Sequence, residues 1–173
     1  MSKILWVDLE MTGLNPATDR ILEVAAIITD WDFEVIDTFE VIIKQSPEVL
    51  AQMPPEVEKM HKKSGLTDKI AGGLSEKVAE KELLKFIDKH FTDSTQVLLA
   101  GNSIHQDRRF IRKYWPSVDS RLHYRMLDVS AWKVVFANKF KIKSSKKSSH
   151  RAIDDITESI NELQTYLTHI KTK

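Results

Sequence analysis

With 173 residues, of which 42% are hydrophobic and 29% charged, the chain has the length for one domain, 1–173, with a sizeable core and the composition of an ordinary globular protein. The formal net charge is +1, so the total does not single out a nucleic-acid binder, and the absence of cysteine excludes disulfides, thiol catalysis and any Cys-based zinc site. No basic leader with a long apolar core opens the sequence and no apolar run approaches membrane-spanning length, so a cytoplasmic protein that does not enter a membrane is expected.

The chain opens on Lys3-Ile4-Leu5-Trp6-Val7-Asp8-Leu9-Glu10-Met11-Thr12-Gly13-Leu14, an apolar run broken by acids at alternate positions. Side chains at i and i+2 share one face of a strand, so Asp8 and Glu10 project together while Leu5, Val7 and Leu9 face the other way. In a sheet centre two such carboxylates repel and lose solvation. An edge strand with both acids in water avoids that cost, and a hard divalent cation removes it. For a bare D-x-E pair the edge strand is the more economical reading. The downstream sequence reverses that order.

Gly13-Leu14-Asn15-Pro16 is turn chemistry. Ile21–Thr29 and residues 33–43 read as two further strands, joined through Asp30-Trp31-Asp32. Connections this short predict antiparallel hairpins, hence a three-stranded meander before any convincing helix. Residues 47–65 are split by Pro54-Pro55 into two short helical pieces. From Ser75 a helix is predicted: Ala79, Leu83, Ile87 and Phe91 recur every fourth residue, with Ser75 as N-cap and, because Val78 holds N3, no capping box. Val97–Gly101 is short and apolar on both faces, the pattern of a buried central strand. A helix over 106–115 stopped by Pro116, a last strand over 124–129 and a helix over 131–140 follow. The terminal helix carries Ile153, Ile156, Ile160, Leu163 and Leu167; it is too short for a coiled coil and is expected to pack on the sheet. Residues 144–149 and the last few are the candidates for disorder. The sum is an α/β fold of about five strands in mixed directions with helices on its faces.

Two later stretches bear on the opening acids. In Gly101-Asn102-Ser103-Ile104-His105-Gln106-Asp107-Arg108-Arg109-Phe110, Asp107 opens a helix at the carboxyl end of a buried strand, where α/β proteins commonly place ligands. Complementing the helix dipole is the alternative role for that acid. In Ser149-His150-Arg151-Ala152-Ile153-Asp154-Asp155-Ile156, His150 and an aspartate address one site only if His150 lies in the lead-in to the helix. Helical phase does not choose between Asp154 and Asp155, since both lie off the apolar stripe. The lysines at 139, 141, 143, 146 and 147 form either a solvated run or a patch that steers an anionic substrate.

Taken together, D-L-E, D-R-R-F and H-x4-D resemble the 3′→5′ exonucleases with four acidic ligands and a histidine, a superfamily of ribonuclease H-like fold. Within it, W-V-D-L-E-M-T-G-L, G-N-S-I-x-Q-D-R-R-F, H-Y-R-M-L-D-V-S and H-R-A-I-D-D-I-x-E-S-I-x-E-L are similar to the oligoribonuclease family over nearly the whole chain. The resemblance implies a five-stranded mixed sheet, an antiparallel meander of three strands plus parallel strands. It implies that Asp8, Glu10, Asp107 and Asp155, the last chosen by the family motif, hold two magnesium or manganese ions, roughly 3.5–4 Å apart in sites of this type. One ion acidifies the attacking water, the other stabilises the departing 3′ oxygen, and His150 takes the water's proton as general base. The implied substrates are short RNAs, dinucleotides above all, cut to nucleoside 5′-monophosphates.

By the same resemblance Leu14 wedges between the two bases and His61 is a substrate contact. Ser103, Arg125 and Ser130 cap the 5′ phosphate beside Tyr124, and Tyr124 and Arg125 come from a partner subunit, implying a homodimer. One departure stands out. Where many relatives carry tryptophan this chain has Glu56, and an indole stacked on a base is worth about 1–3 kcal/mol that a carboxylate does not supply; Met53 and Met60 are the nearby apolar alternatives. Three other readings compete: a trimming or proofreading exonuclease for longer RNA or DNA, against which the closed phosphate cap argues; a catalytically silent nucleic-acid-binding module, against which the complete set of acids and His150 argues; and a metal phosphatase for mononucleotides, which leaves the base wedge unexplained.

Overall fold

The structure, a computed structural model, describes residues 3–92, 96–143 and 151–170. Strands β1 (Ile4–Met11), β2 (Ile21–Thr29) and β3 (Val35–Ile42) are followed by short helices α1 (Pro47–Leu50) and α2 (Pro55–Lys63). A 3-10 turn over Thr67–Gly72 leads into α3 (Glu76–His90). Then come β4 (Val97–Gly101), α4 (His105–Tyr114), α5 (Pro116–Asp119), β5 (Leu122–Asp128), α6 (Val129–Val135) and, after 151, α7 (Ala152–Thr168). The strands form one sheet in the order β3-β2-β1-β4-β5. β1–β2 and β2–β3 are antiparallel, and β1–β4 and β4–β5 parallel. The expected mixed sheet with its meander is therefore the observed one, and β1 is its middle strand rather than an edge.

Alternation along β1 sorts the core into two layers. Leu5, Val7 and Leu9 pack with Ala79, Leu83 and Ile87 of α3 and with Phe110 and Ile111 of α4. Ile4 and Trp6 face α7, against Ala152, Ile156, Ile160 and Leu163. Burying each such aliphatic side chain contributes about 1.5–3 kcal/mol, so the stripe on α7 suffices to seat that helix on the sheet. Trp6 is buried without an orphaned donor, because its indole N–H donates to Thr29 Oγ1 at 3.0 Å. Gly101 ends β4 where the backbones of β1 and β4 crowd together: a Cβ there would stand 2.7 Å from the Val7 carbonyl oxygen.

Several boundaries differ from expectation. The helix foreseen over 131–140 starts earlier, at Val129, capped by Asp128, whose side chain accepts from the Ser130 N–H, and it loosens into a π-helical turn over Phe136–Phe140. Pro116 does not simply stop α4; it occupies the first position of α5, where its missing N–H costs nothing. Ser75 is the N-cap of α3 and makes no side-chain capping bond. The segment expected to be disordered, 144–149, lies outside the described residues, as does His150. Among the described residues no helix is long and apolar enough to cross a membrane.

Candidate active site

Asp8 and Glu10 project from the middle strand on the side covered by α7, and Asp155, in the first turn of α7, comes down upon them. One carboxylate oxygen from each of the three lies within 4.8 Å of the others. Asp154, its neighbour, points to solvent. The ambiguity that helical phase leaves between the two is thus resolved by how α7 sits on the sheet. Asp107 arrives from the other direction, at the start of α4: it is buried, and its Oδ1 accepts the Leu9 N–H at 3.0 Å, which ties it to the residue between Asp8 and Glu10.

The electrostatics of this cluster are unfavourable for the protein alone. Burial, then the carboxylates of Asp155, Glu23 and Asp107, push the Glu10 carboxyl up to about 8, against the opposing pull of Arg151. Burial likewise raises Asp107 to about 7, although hydrogen bonds from the Leu9 N–H and its own N–H favour the anion and Asp128 opposes it. Acids forced toward their protonated forms at neutral pH mark a place built for added positive charge. The donors are all hard carboxylate oxygens, the set that magnesium, manganese and calcium prefer and that suits thiophilic metals poorly. The residues present therefore fit a divalent cation.

The residues expected to touch substrate are placed as follows. Leu14 stands 64% exposed on a braced loop. Its neighbour Asn15 donates its N–H to Asp19 Oδ2 at 2.8 Å, and the Tyr114 hydroxyl lies 2.8 Å from the Pro16 carbonyl oxygen. The Asp19 carboxylate also packs against Gly13, where a Cβ would fall 2.5 Å from Oδ2 and push that side chain aside. Ser103, at φ 55°, donates its N–H to Asp128 Oδ1 at 3.0 Å, and the Ser130 N–H reaches the same oxygen at 2.9 Å. Asp128 thus draws Ser103 and Ser130 together at the carboxyl ends of β4 and β5, a role the sequence reading missed. Tyr124 is 68% exposed on edge strand β5, with the Arg125 guanidinium 5.1 Å from its ring centre.

His61, expected as a substrate contact, lies beside the acidic cluster. It is fully buried on α2, with Nε2 2.9 Å from the Met11 carbonyl oxygen and Nδ1 3.8 Å from Glu10 Oε2. A carbonyl only accepts, so that contact places the proton on Nε2 and turns Nδ1 toward Glu10. Glu56 is exposed on α2, and Met53 packs with Leu22, Leu66 and Ile70. Of the two apolar stand-ins near Glu56, Met53 is committed to the core. Reasoning from sequence also missed Arg151 and Glu23, although a glutamate inside the apolar run of β2 was a signal, since a buried charge needs a partner.

Comparison with known proteins agrees with this geometry. Residues 5–163 match the exonuclease family RNase_T. Oligoribonuclease from Francisella tularensis is 46% identical over 94% of this chain and 93% of its own length. Oligoribonuclease from Neisseria meningitidis is 44% identical over 97% and 92%. The chain belongs to the oligoribonuclease family of exonucleases. As a family member it is a nuclease, a hydrolase of phosphodiester bonds, and its acidic cluster supports dependence on a divalent cation. Among solved structures, Escherichia coli exonuclease I in complex with single-stranded DNA superposes with a TM-score of 0.73 at 17% identity, covering 98% of this chain. A second exonuclease I complex, with a dT13 oligonucleotide, gives 0.71 at 19% identity. This chain spans about 40% of the length of the exonuclease I chain, and at that identity the likeness is one of fold.

Proposed function

We propose that this protein is a metal-dependent 3′→5′ exoribonuclease, one domain over 1–173, acting in the cytoplasm on short oligoribonucleotides and dinucleotides above all. The observation that carries the reading is the meeting of Asp8 and Glu10 with Asp155, which lies 145 residues beyond Glu10 in sequence, in one cluster on an oligoribonuclease-family chain. Asp107, which stands outside that group of three and is tied to the Leu9 N–H, would be the fourth oxygen donor. Magnesium or manganese, as a pair of ions, would supply the Lewis acidity for water activation and for the departing 3′ oxygen. The four carboxylates would hold that charge in place, and Glu10 and Asp107, both held above the usual carboxylate range by burial, would give up protons in doing so. His150, which directly precedes Arg151 in the sequence, takes the proton of the attacking water. The product is a nucleoside 5′-monophosphate.

Preference for very short RNA follows from a site closed at both ends. Leu14, exposed on its loop, wedges between two bases, and His61, which lies 3.8 Å from Glu10, backs the site from within. Ser103, Ser130 and Arg125, with Tyr124, take the 5′ phosphate, so a longer strand has no exit. Two features support a homodimer. Tyr124 and Arg125 are exposed on edge strand β5, and an apolar groove of about 720 Å³ is lined by Trp132, Val135, Phe136, Phe140 and Ile170.

A time course on a ladder of 5′-labelled RNAs from the dinucleotide upward, with magnesium and an EDTA control, tests the reading. Fastest cleavage of the dinucleotide is expected. Preference for long strands would instead make this a trimming exonuclease, and binding without cleavage a silent module.

A further inference from the structure

Arg151 is the N-cap residue of α7 and makes no capping bond within that helix. Its guanidinium grips Glu23 of β2 instead: Nε lies 3.1 Å from Oε1 and Nη2 lies 2.7 Å from the same oxygen. The same Nη2 also donates to Glu40 of β3. Glu23 is fully buried, and its Oε2 accepts the N–H of Ala152, the first helical residue, at 3.3 Å. Glu23 therefore caps α7 from outside, as a carboxylate set against the positive end of the helix. Across the sheet, Glu23 is the register partner of Glu10, so the two side chains share one face. From the other side, the Asp155 N–H donates to the Arg151 carbonyl at 3.0 Å, closing the turn that carries Asp155.

We infer that Arg151 is a positioning residue for the acidic cluster: by gripping Glu23 it fixes the first turn of α7 over β1, setting Asp155, and it keeps the Glu23 carboxylate apart from Asp8, Glu10 and Asp155. The inference rests on the reading of those acids as a cation site. A planar guanidinium suits the task because it donates in two directions at fixed angles, to β2 and to β3, where an ammonium offers a point charge on a flexible stem. Without it, a fifth carboxylate would stand unbalanced on the face of Glu10, and α7 would lose the bond that sets its height on the sheet. Groups that hold metal ligands from behind in this way typically alter affinity about 10–100-fold when removed.

The test compares Arg151→Met, Arg151→Lys and the double variant Glu23→Gln with Arg151→Met, reading Mn²⁺ binding by electron paramagnetic resonance without substrate, the melting temperature, and kcat separately from KM for a dinucleotide. Arg151→Met is expected to weaken Mn²⁺ binding about tenfold or more and to lower kcat with KM little changed. Arg151→Lys falls between it and the parent. The double variant, which removes the buried charge with its partner, recovers the melting temperature but not the Mn²⁺ affinity. A double variant that is folded and binds Mn²⁺ like the parent would overturn the inference, leaving Arg151 as no more than a counter-ion for Glu23. Failure of the cation reading itself has a different signature: the parent and Asp155→Ala would then bind Mn²⁺ alike.

Discussion

The middle of the sheet and its β5 edge are built on opposite terms. Around β1 the functional groups are enclosed: Glu10 is 8% exposed with His61 3.8 Å away, and Asp107 is 5% exposed and held by the Leu9 N–H. At the edge, Tyr124 and Arg125 touch each other and the solvent, and the fixed element is Asp128 behind Ser103 and Ser130. The centre brings its donors together before any ligand arrives and pays for this in unfavourable charge. The edge holds side chains that gain their contacts when a ligand or a second subunit arrives. Chemistry should therefore depend steeply on the central residues, and substrate choice on the peripheral ones.

Substitutions at the centre should have the largest effects. Asp155→Ala or Asp107→Ala removes an oxygen donor and is expected to reduce dinucleotide turnover to the uncatalysed background while the protein stays folded. Normal turnover by Asp107→Ala would break the comparison at its stronger side.

The unfavourable charge has its own consequence. The Glu10 carboxyl, ordinarily at 4.5, is pushed up to about 8 in the folded chain. A folded-state value above the unfolded one favours folding while the group is protonated, an advantage complete below about 4.5 and lost as pH climbs through about 8. Asp107 acts in the same sense, from 3.8 to about 7. Urea melts in EDTA should therefore show stability falling as pH rises across this window, and saturating Mn²⁺ should flatten or reverse the slope. A metal-free protein whose stability rises with pH over the same range would show that the acids are not crowded.

Effects at the edge should be smaller and selective. Arg125→Ala is expected to cost about 1.5–3 kcal/mol in binding a 5′-phosphorylated dinucleotide, the worth of a hydrogen bond to a charged group, with little change for the unphosphorylated one. Equal loss for both would remove Arg125 from the phosphate cap. The smallest structural effect belongs to Leu14→Ala: at 64% exposure it should shift stability by no more than about 0.5 kcal/mol while raising KM, which a urea melt and a dinucleotide titration check together.

Much of the centre was legible in the sequence, and for a definite reason. Alternation in a strand is a strict period, so the D-x-E spacing alone put Asp8 and Glu10 on one face, and the apolar stripe from Ile153 to Leu167 alone put α7 on the sheet. The middle position of β1 was not legible from spacing, because strand order depends on which crossover follows which strand; it shows in the pairing of β1 with both β2 and β4. Contacts between distant segments were the least accessible. Glu23 meets Arg151 across 128 residues, and nothing local to either says which partner it takes. The same holds for His61, whose burial against Met11 and Glu10 depends on how α2 docks. The start of α6 moved because the Asp128 side chain caps it, a competition that the apolar pattern of 131–140 does not register.

The most direct test is an anomalous-scattering map from a crystal soaked in manganese. Peaks between the carboxylates of Asp8, Glu10, Asp107 and Asp155 are predicted. Well-ordered side chains turned away from one another, with no peak among them, would contradict the central claim.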